Sequence, residues 1–292
     1  MPTAVSDLEV TPKPKTINIA NRKPDTVVFI HGLWMTPLSW ENWVERYTDK
    51  GYKVVNRSWP GMEGDVDQLR NDPSTIAGLG ITEIVDHYQD IVEELDSPPI
   101  IMGHSFGGLM TQILLDRGLG AAGVAIAPAP VKGILFLPFS TLKVTAPALS
   151  NPANIHRAVP LTPEQFHYAF TNNMSEEESL EVYNRYAVPG PDHVLFQDAF
   201  ANFNPNAAST VDFLNNDRAP LLLIAGGLDH ISPPSVVKAN HKLYGKSRAV
   251  TDYKEYPDRT HYTLGQDGWE EVADFAIDWA ADQTSRRAKL SA

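Results

Sequence analysis

The chain has 292 residues, no cysteine, 42% hydrophobic residues and a formal net charge of −12. This length and apolar content suffice for one large core with an accessory element. The excess of acidic over basic residues argues against binding to nucleic acid or to an anionic membrane surface, and the lack of cysteine excludes disulfides and thiol chemistry.

Apolar runs are too short to span a bilayer, so we expect no membrane anchor. Residues 1–20 lack the basic start and apolar core of a secretory signal, so the expected location is the cytoplasm.

Apolar segments alternate with helical patterns along most of the chain, which predicts a mostly parallel sheet with helices on both faces. The predicted strands are Thr26–Ile30, Tyr52–Asn56, Pro99–Met102, Gly123–Ala127, Leu221–Ala225 and Val250–Tyr256. The predicted helices are Ser39–Lys50, Thr82–Leu95, Ser105–Asp116, Ser235–Tyr244 and Trp269–Asp282. Before the first of these strands, only Thr16–Ile19 has strand character.

The alternation stops between Ala127 and Leu221, a gap far longer than one helical crossover needs. We therefore predict an α/β core formed by residues 1–127 and 218–292, and a mostly helical insertion over residues 128–217. Capping boxes that begin at Thr162 and Ser175 predict two of its helices. We refer to residues 128–217 as the insertion.

Eight of the eleven phenylalanines lie in the insertion, and we expect half or more of them to form its own small core. The remainder would line an apolar pocket. The apolar run from Lys132 to Phe139 is the best candidate for such a lining or for a mobile lid, which makes Phe136 and Phe139 candidate substrate-binding residues.

A serine stands between two glycines directly after the predicted strand at Pro99–Met102, in the pattern Gly103-x-Ser105-x-Gly107. Side chains at the two glycine positions would collide with the neighbouring strand and helix, because the turn is tight. The turn exposes the Ser105 hydroxyl at the N-terminus of the following helix, so Ser105 is a candidate nucleophile. Ser247 lies in a similar pattern, but no apolar strand precedes it and a solvated loop is the better interpretation.

A serine nucleophile requires a base and an acid that orients the base. Asp229 follows the predicted strand Leu221–Ala225, and His261 follows the last predicted strand. These are the candidate acid and base. His230 is the alternative base, but it is the neighbour of Asp229, and neighbouring side chains on an extended loop point apart. Asp258 is the alternative acid, but it lies in a polar loop.

The order Ser, Asp, His, with each residue after a strand, resembles the α/β-hydrolase family. The resemblance implies an α/β-hydrolase fold, a helical cap formed by the insertion, and an esterase-like or lipase-like serine hydrolase that needs no cofactor or metal. The pair His31-Gly32 after the first predicted strand matches the family's oxyanion loop. By position, the resemblance implies that the backbone N–H groups of Leu33 and Phe106 form the oxyanion hole.

Three more residues flank these motifs. Trp34 is a candidate wall of the substrate pocket, with packing against Trp40 and Trp43 as the alternative. For His31 and His104 we favour packing and hydrogen bonding beside the site over a direct chemical role, and His104 is also a candidate substrate contact. No H-E-x-x-H pattern or compact His/Asp/Glu cluster predicts a metal site.

The sequence predicts hydrolysis of small to medium, uncharged, hydrophobic esters through an acyl-enzyme on Ser105. Dehalogenases and epoxide hydrolases of this family carry aspartate at the nucleophile position, so they are disfavoured. Perhydrolase relatives often have proline soon after the His-Gly pair, where this chain has Leu33 and Trp34. Hydroxynitrile lyases and carbon–carbon bond hydrolases keep the same triad, and a non-catalytic ligand receptor can use the same scaffold. These alternatives stay open, as does the oligomeric state.

Overall fold

The computed structural model describes residues 24–290. Its main element is a six-stranded sheet with the strand order β2-β1-β3-β4-β7-β8, in which every pairing is parallel. A second, two-stranded sheet pairs β5 with β6 antiparallel. The strands are Thr26–Ile30 (β1), Lys53–Asn56 (β2), Ile100–His104 (β3), Ala122–Ile126 (β4), Ala158–Val159 (β5), Gly190–Pro191 (β6), Leu221–Gly226 (β7) and Thr251–Tyr256 (β8).

Ten α-helices lie within residues 24–290. The five predicted helices are present, and the last one extends further than predicted. The helices are Glu41–Asp49 (α1), Val66–Asn71 (α2), Ile81–Glu93 (α3), Phe106–Asp116 (α4), Phe139–Leu149 (α5), Pro163–Phe170 (α6), Glu176–Tyr186 (α7), Asp192–Ala199 (α8), Pro234–Leu243 (α9) and Trp269–Leu290 (α10). None of the described helices is long and apolar enough to cross a membrane.

The main sheet is buried on both faces, because alternate residues of its strands enter two different hydrophobic clusters. In β1, Val28 and Ile30 belong to one cluster, while Val27 and Phe29 belong to the other. The first cluster includes α3, α4 and α9, and the second includes α1 and α10. The predicted parallel sheet with helices on both faces is confirmed. The weak strand at Thr16–Ile19 falls outside the described residues.

The segment between β4 and β7 contains α5 to α8 and the small β5–β6 sheet. Both predicted capping boxes are present, since Thr162 pairs with Gln165 and Ser175 with Glu178. Three helices were not predicted. The α2 helix has its own capping box at Asp65, the α5 helix begins inside the apolar run and contains Pro147, and α8 has no side-chain cap.

The insertion is attached to the α/β core by ionic and hydrogen-bonded contacts. Arg185 forms a two-pronged ion pair with Glu41 at the start of α1, and the Tyr186 hydroxyl donates to the same carboxylate. The Arg70 guanidinium in α2 donates to the carbonyls of Tyr183 and Ala187. Two core helices thus bind the C-terminal end of α7.

Candidate active site

Ser105 occupies a strained turn between β3 and α4. Its backbone has φ 55° and ψ −119°, a conformation that residues other than glycine rarely adopt. An ideal Cβ on Gly103 would lie 2.0 Å from the Gly107 carbonyl oxygen, and one on Gly107 would lie 2.1 Å from the Ile30 carbonyl oxygen. Both glycines are therefore required by close backbone packing. The Ser105 N–H donates to the carbonyl of Ile126 at 2.9 Å, which ties the turn to β4.

Asp229 lies just beyond β7 and is only 2% exposed. Its Oδ1 accepts hydrogen bonds from the backbone N–H groups of Ile231 and Ser232, at 2.7 and 2.8 Å. Its Oδ2 lies 2.7 Å from Nδ1 of His261. Because two backbone donors fix the carboxylate, its second oxygen is held in place to orient the imidazole.

His261 lies in the loop after β8, and its side chain is fully buried. The loop is fixed by Gln266, whose Oε1 accepts from the N–H and hydroxyl of Thr260 and whose Nε2 donates to the Asp258 carbonyl. Nε2 of His261 has no hydrogen-bond partner within the described part of the chain, so it carries no bond to Ser105 in this conformation. Hydrogen bonds between nucleophile and base are often long until a substrate binds.

The competing candidates lie elsewhere or are otherwise engaged. Nδ1 of His230 bonds to the Tyr168 carbonyl at 2.8 Å, and its ring packs on the Tyr168 ring. The Asp258 side chain is 72% exposed beside Arg259. Ser247 donates its hydroxyl hydrogen to the Asn215 carbonyl at 2.9 Å.

The loop after β1 lies against the nucleophile. An ideal Cβ on Gly32 would come within 2.8 Å of Cβ of Ser105, so the two turns are in direct contact. Leu33 and Phe106 are both buried, at 1% and 5% exposure. Trp34 adopts a positive φ of 63°, and its carbonyl accepts from the N–H of Val188 in the insertion at 3.0 Å. The insertion therefore holds the loop that contains Leu33, whose N–H was predicted to be one of the two oxyanion donors.

Trp34 and Phe170 form an apolar wall beside His261. The Phe170 ring meets the His261 ring edge-on, with 5.0 Å between centroids, and the Trp34 ring lies 6.4 Å from Phe170. The Phe170 carbonyl also accepts from the N–H of Tyr262 at 3.0 Å. Trp34 does not pack in the cluster that contains Trp40 and Trp43, which lies on the other face of the sheet.

Two more histidines are buried beside these residues. The His31 ring stacks on the Trp59 ring, and its Nε2 accepts a hydrogen bond from the backbone N–H of Trp59. Burial lowers the pKa of His31 to about 4. His104 is 1% exposed, and its Nε2 lies 2.8 Å from the His261 carbonyl oxygen. Burial, with a smaller effect of the neighbouring His261, holds the pKa of His104 well below its usual range. The packing and hydrogen-bonding role favoured for both histidines agrees with these contacts, and His104 makes its bond to the loop of the candidate base. Its assignment to substrate binding stays a prediction.

Phe136 and Phe139 lie at the surface, 48% and 80% exposed. These two rings do not form an enclosed acyl pocket, because both are exposed to solvent. Their assignment to substrate binding stays a prediction. The same run does border a cavity of about 290 Å³. Ile134 of the run lines this cavity, and Asp198 and Phe203 form other parts of its wall.

The residues that support the site were not found from sequence. Gln266 bonds within the His261 loop itself, Phe170 contacts that loop from the insertion, and no local motif marks either residue. Among residues 24–290, no group of three or more His, Cys, Asp or Glu side chains could hold a metal ion.

Comparison with known proteins places this arrangement in a family. A family model described as "Alpha/beta hydrolase family" matches residues 27–275, and the chain belongs to this family. The predicted fold class is thereby confirmed. No curated protein matches the chain in sequence.

Several solved structures share the fold. A monoacylglycerol lipase from Paleococcus ferrophilus is 19% identical, with a TM-score of 0.60 over 89% of this chain and 96% of that one. A methylesterase from Arabidopsis is 13% identical, with a TM-score of 0.59 over 88% and 98% of the two chains. A pyrethroid hydrolase from Sphingobium faniae is 17% identical, with a TM-score of 0.57 over 87% and 96%. Ester-cleaving enzymes are thus among the structures that this chain resembles.

Proposed function

We propose that this protein is a serine hydrolase that cleaves carboxylic esters of small to medium, uncharged, hydrophobic substrates. The observation that carries the proposal is the buried hydrogen bond between Asp229 and His261, which leaves Nε2 of the imidazole unpartnered in the described structure and available for a proton from Ser105. The strained turn at Ser105 supports the same role, since such strain is common at nucleophiles.

In the first chemical step, Ser105 Oγ attacks the ester carbonyl carbon while Nε2 of His261 accepts the hydroxyl proton. Asp229 stabilises the resulting imidazolium and keeps Nδ1 as the proton donor to its carboxylate. The carbonyl oxygen becomes an oxyanion, which the N–H groups of Leu33 and Phe106 would stabilise. One such donor contributes roughly 10²–10³ in rate.

The tetrahedral intermediate then collapses. The bond from carbon to the alcohol oxygen breaks, and His261 gives its proton to the leaving alcohol. A water molecule attacks the acyl-enzyme with His261 again as base, which releases the carboxylic acid and restores Ser105. No step needs a metal or a cofactor.

The preference for uncharged, hydrophobic esters is supported by the residues around the base. Phe170 and Trp34 are apolar and buried, at 1% and 4% exposure, and Phe166 stacks on Phe170. A charged group placed against these rings would lose its hydration without gaining a partner. We propose that the insertion, residues 128–217, acts as a cap that supplies this wall.

The test is hydrolysis of p-nitrophenyl esters from acetate to decanoate by the wild type, Ser105→Ala and Ser247→Ala. Ser247 is the matched control because it lies in a similar glycine-serine pattern but bonds to Asn215. We expect Ser105→Ala to lose at least ~10³ in kcat, with residual rate from the oxyanion hole, while Ser247→Ala stays near wild type.

Equal rates in the wild type and Ser105→Ala would contradict the serine mechanism. Absence of ester turnover, together with activity on a cyanohydrin or a diketone, would favour a lyase or a carbon–carbon bond hydrolase on the same triad. A stable complex with slow single turnover would favour a receptor.

A further inference from the structure

His104 is in contact with three parts of the candidate active site: the nucleophile turn, the base His261 and the loop after β1. It directly precedes Ser105 in the chain, and its Nε2 lies 2.8 Å from the His261 carbonyl oxygen. The two imidazole rings are 4.7 Å apart between centroids. At the other ring nitrogen, an ideal Cβ on Gly32 would come within 3.3 Å of Nδ1 of His104, so the ring also lies close to the loop after β1.

The hydrogen bond fixes the protonation state of His104. A carbonyl oxygen only accepts, so Nε2 must carry the proton, and Nδ1 is then the bare nitrogen of a neutral ring. Nδ1 has no hydrogen-bond partner within the described residues, so a second proton there would be a buried donor without an acceptor. A charged His104 would also repel the imidazolium that forms on His261 during the reaction. His104 is thus suited to stay neutral throughout the cycle.

The main chain around His261 is anchored on both sides. Thr260 is held by Gln266, and the N–H of Tyr262 donates to the carbonyl of Phe170. Between them, the carbonyl of His261 itself accepts from His104. Because this bond acts on the base's own peptide group, its loss would let the whole residue shift, including the imidazole.

We propose that His104 is a positioning residue that holds the main chain of His261 so that the imidazole Nε2 is directed at Ser105. The inference rests on the proposed hydrolase mechanism and is the alternative to the predicted substrate contact by His104. The same side chain joins the nucleophile turn to the base loop, so it links the positions of the two reacting residues directly.

The test compares substitutions at one position by their ability to donate at the Nε2 site. His104→Gln places an amide N–H near the position of Nε2, whereas His104→Met has similar length and no donor. We expect the Met variant to lose about 10² in kcat with KM within about threefold of wild type, since misplacement of a catalytic group acts on the chemical step. The Gln variant should recover kcat to within about fivefold of wild type.

Two measurements separate positioning from a general loss of structure. Thermal melts of each variant report folding, and the proton resonance of the His261 Nδ1–H···Asp229 hydrogen bond reports the orientation of the base. We expect this downfield resonance in the wild type and the Gln variant, and its loss or broadening in the Met variant. If the Met variant does not fold, His104→Asn replaces it, because the shorter amide does not reach the carbonyl of His261.

Equal kcat in the Gln variant and the donor-free variant would overturn the proposal, and so would a rise in KM alone, which would indicate substrate contact. If the wild type hydrolyses no ester, the proposed function fails, and the resonance comparison still decides whether His104 positions His261. If the wild type is active and the variants are indistinguishable in kcat, only the positioning role fails.

Discussion

The candidate catalytic loops and the apolar run Lys132–Phe139 are both next to strand ends of the same sheet, yet they are stabilised in opposite ways. Asp229 and His261 are buried and bonded to fixed partners, with exposures of 2% and 0%. Leu135 and Phe139 are 85% and 80% exposed. The difference is one of contacts, because the catalytic side chains have partners in the folded chain whereas Leu135 and Phe139 mostly face solvent.

This contrast indicates that the two regions have different roles in the proposed reaction. Side chains that must be placed to a fraction of an ångström lie where backbone donors and close packing fix them. Exposed apolar side chains gain little from their present position and are free to contact a substrate or to move. We therefore expect substitutions in the catalytic loops to alter kcat and substitutions in the apolar run to alter KM.

The largest expected effect is at Asp229. Asp229→Asn keeps the size of the side chain but removes the charge that stabilises the imidazolium and fixes its tautomer, so we expect kcat to fall by about 10³–10⁴. The control is Asp258→Asn, since Asp258 is exposed and lies three residues from His261. Steady-state kinetics on p-nitrophenyl acetate measures both variants. A similar loss in the two variants would mean that Asp229 has no special role.

A buried charge within the insertion tests whether that segment is uniformly less constrained than the core. Asp192 is fully buried, neither carboxylate oxygen has a hydrogen-bond partner in the described structure, and burial raises its pKa to about 7. The folded form therefore binds the proton more tightly than the unfolded chain, whose pKa is near 3.8. The contribution of Asp192 to stability is therefore greatest below about pH 4 and is lost as the pH rises from about 4 through about 7.

Asp192→Asn removes this titration. We expect the variant to exceed the wild type in free energy of unfolding by up to about 4 kcal/mol at pH 8, with little difference at pH 4. Urea denaturation at pH 4, 6 and 8 measures the difference. A gap between the two proteins that does not change with pH would show that the carboxyl group of Asp192 is hydrated or paired.

The sequence predicted the core and the candidate site better than the insertion, for a physical reason. The motif around Ser105 is a local sequence pattern, and so are the strands that end before Asp229 and His261. Each strand places the residue that follows it at the same edge of the sheet. The exposure of Phe139 depends on whether another element covers it, and no property of the run decides that. For the same reason the hydrogen bond of His104 was not predicted: its partner is the His261 carbonyl, which only the assembled loops bring within reach, and the substrate contact at His104 stays a prediction.

The attachment of the insertion to the core gives a smaller effect. The hydrogen-bonded ion pair with Arg185 is the main cause that holds the pKa of Glu41 below its usual range. Burial opposes this shift, and the hydrogen bond from Tyr186 lowers the pKa further. Stability from this contact is therefore present above about pH 4.5 and is lost as the pH falls through the lowered pKa. We expect Glu41→Gln to reduce the free energy of unfolding by about 1 kcal/mol at pH 7.

The matched control for Glu41 is Glu45→Gln, an exposed carboxylate on the same helix. Hydrogen exchange of residues 183–190 provides a local measurement, since these residues would open first if the contact holds the insertion closed. Faster exchange there in Glu41→Gln but not in Glu45→Gln would support the attachment. Equal exchange in both variants would mean that packing alone holds this end of α7.

The smallest expected effect on stability is at Phe139, and it tests the apolar run directly. Because the ring is 80% exposed, Phe139→Ser should change the free energy of unfolding by less than about 0.5 kcal/mol. If the ring contacts longer acyl chains, KM for p-nitrophenyl decanoate should rise about threefold while KM for acetate and both kcat values stay unchanged. Leu214→Ser is the control, because Leu214 is 57% exposed in a different part of the insertion. An unchanged KM for decanoate in Phe139→Ser would place the acyl chain elsewhere, with the buried wall of Trp34 and Phe170 as the remaining apolar surface beside His261.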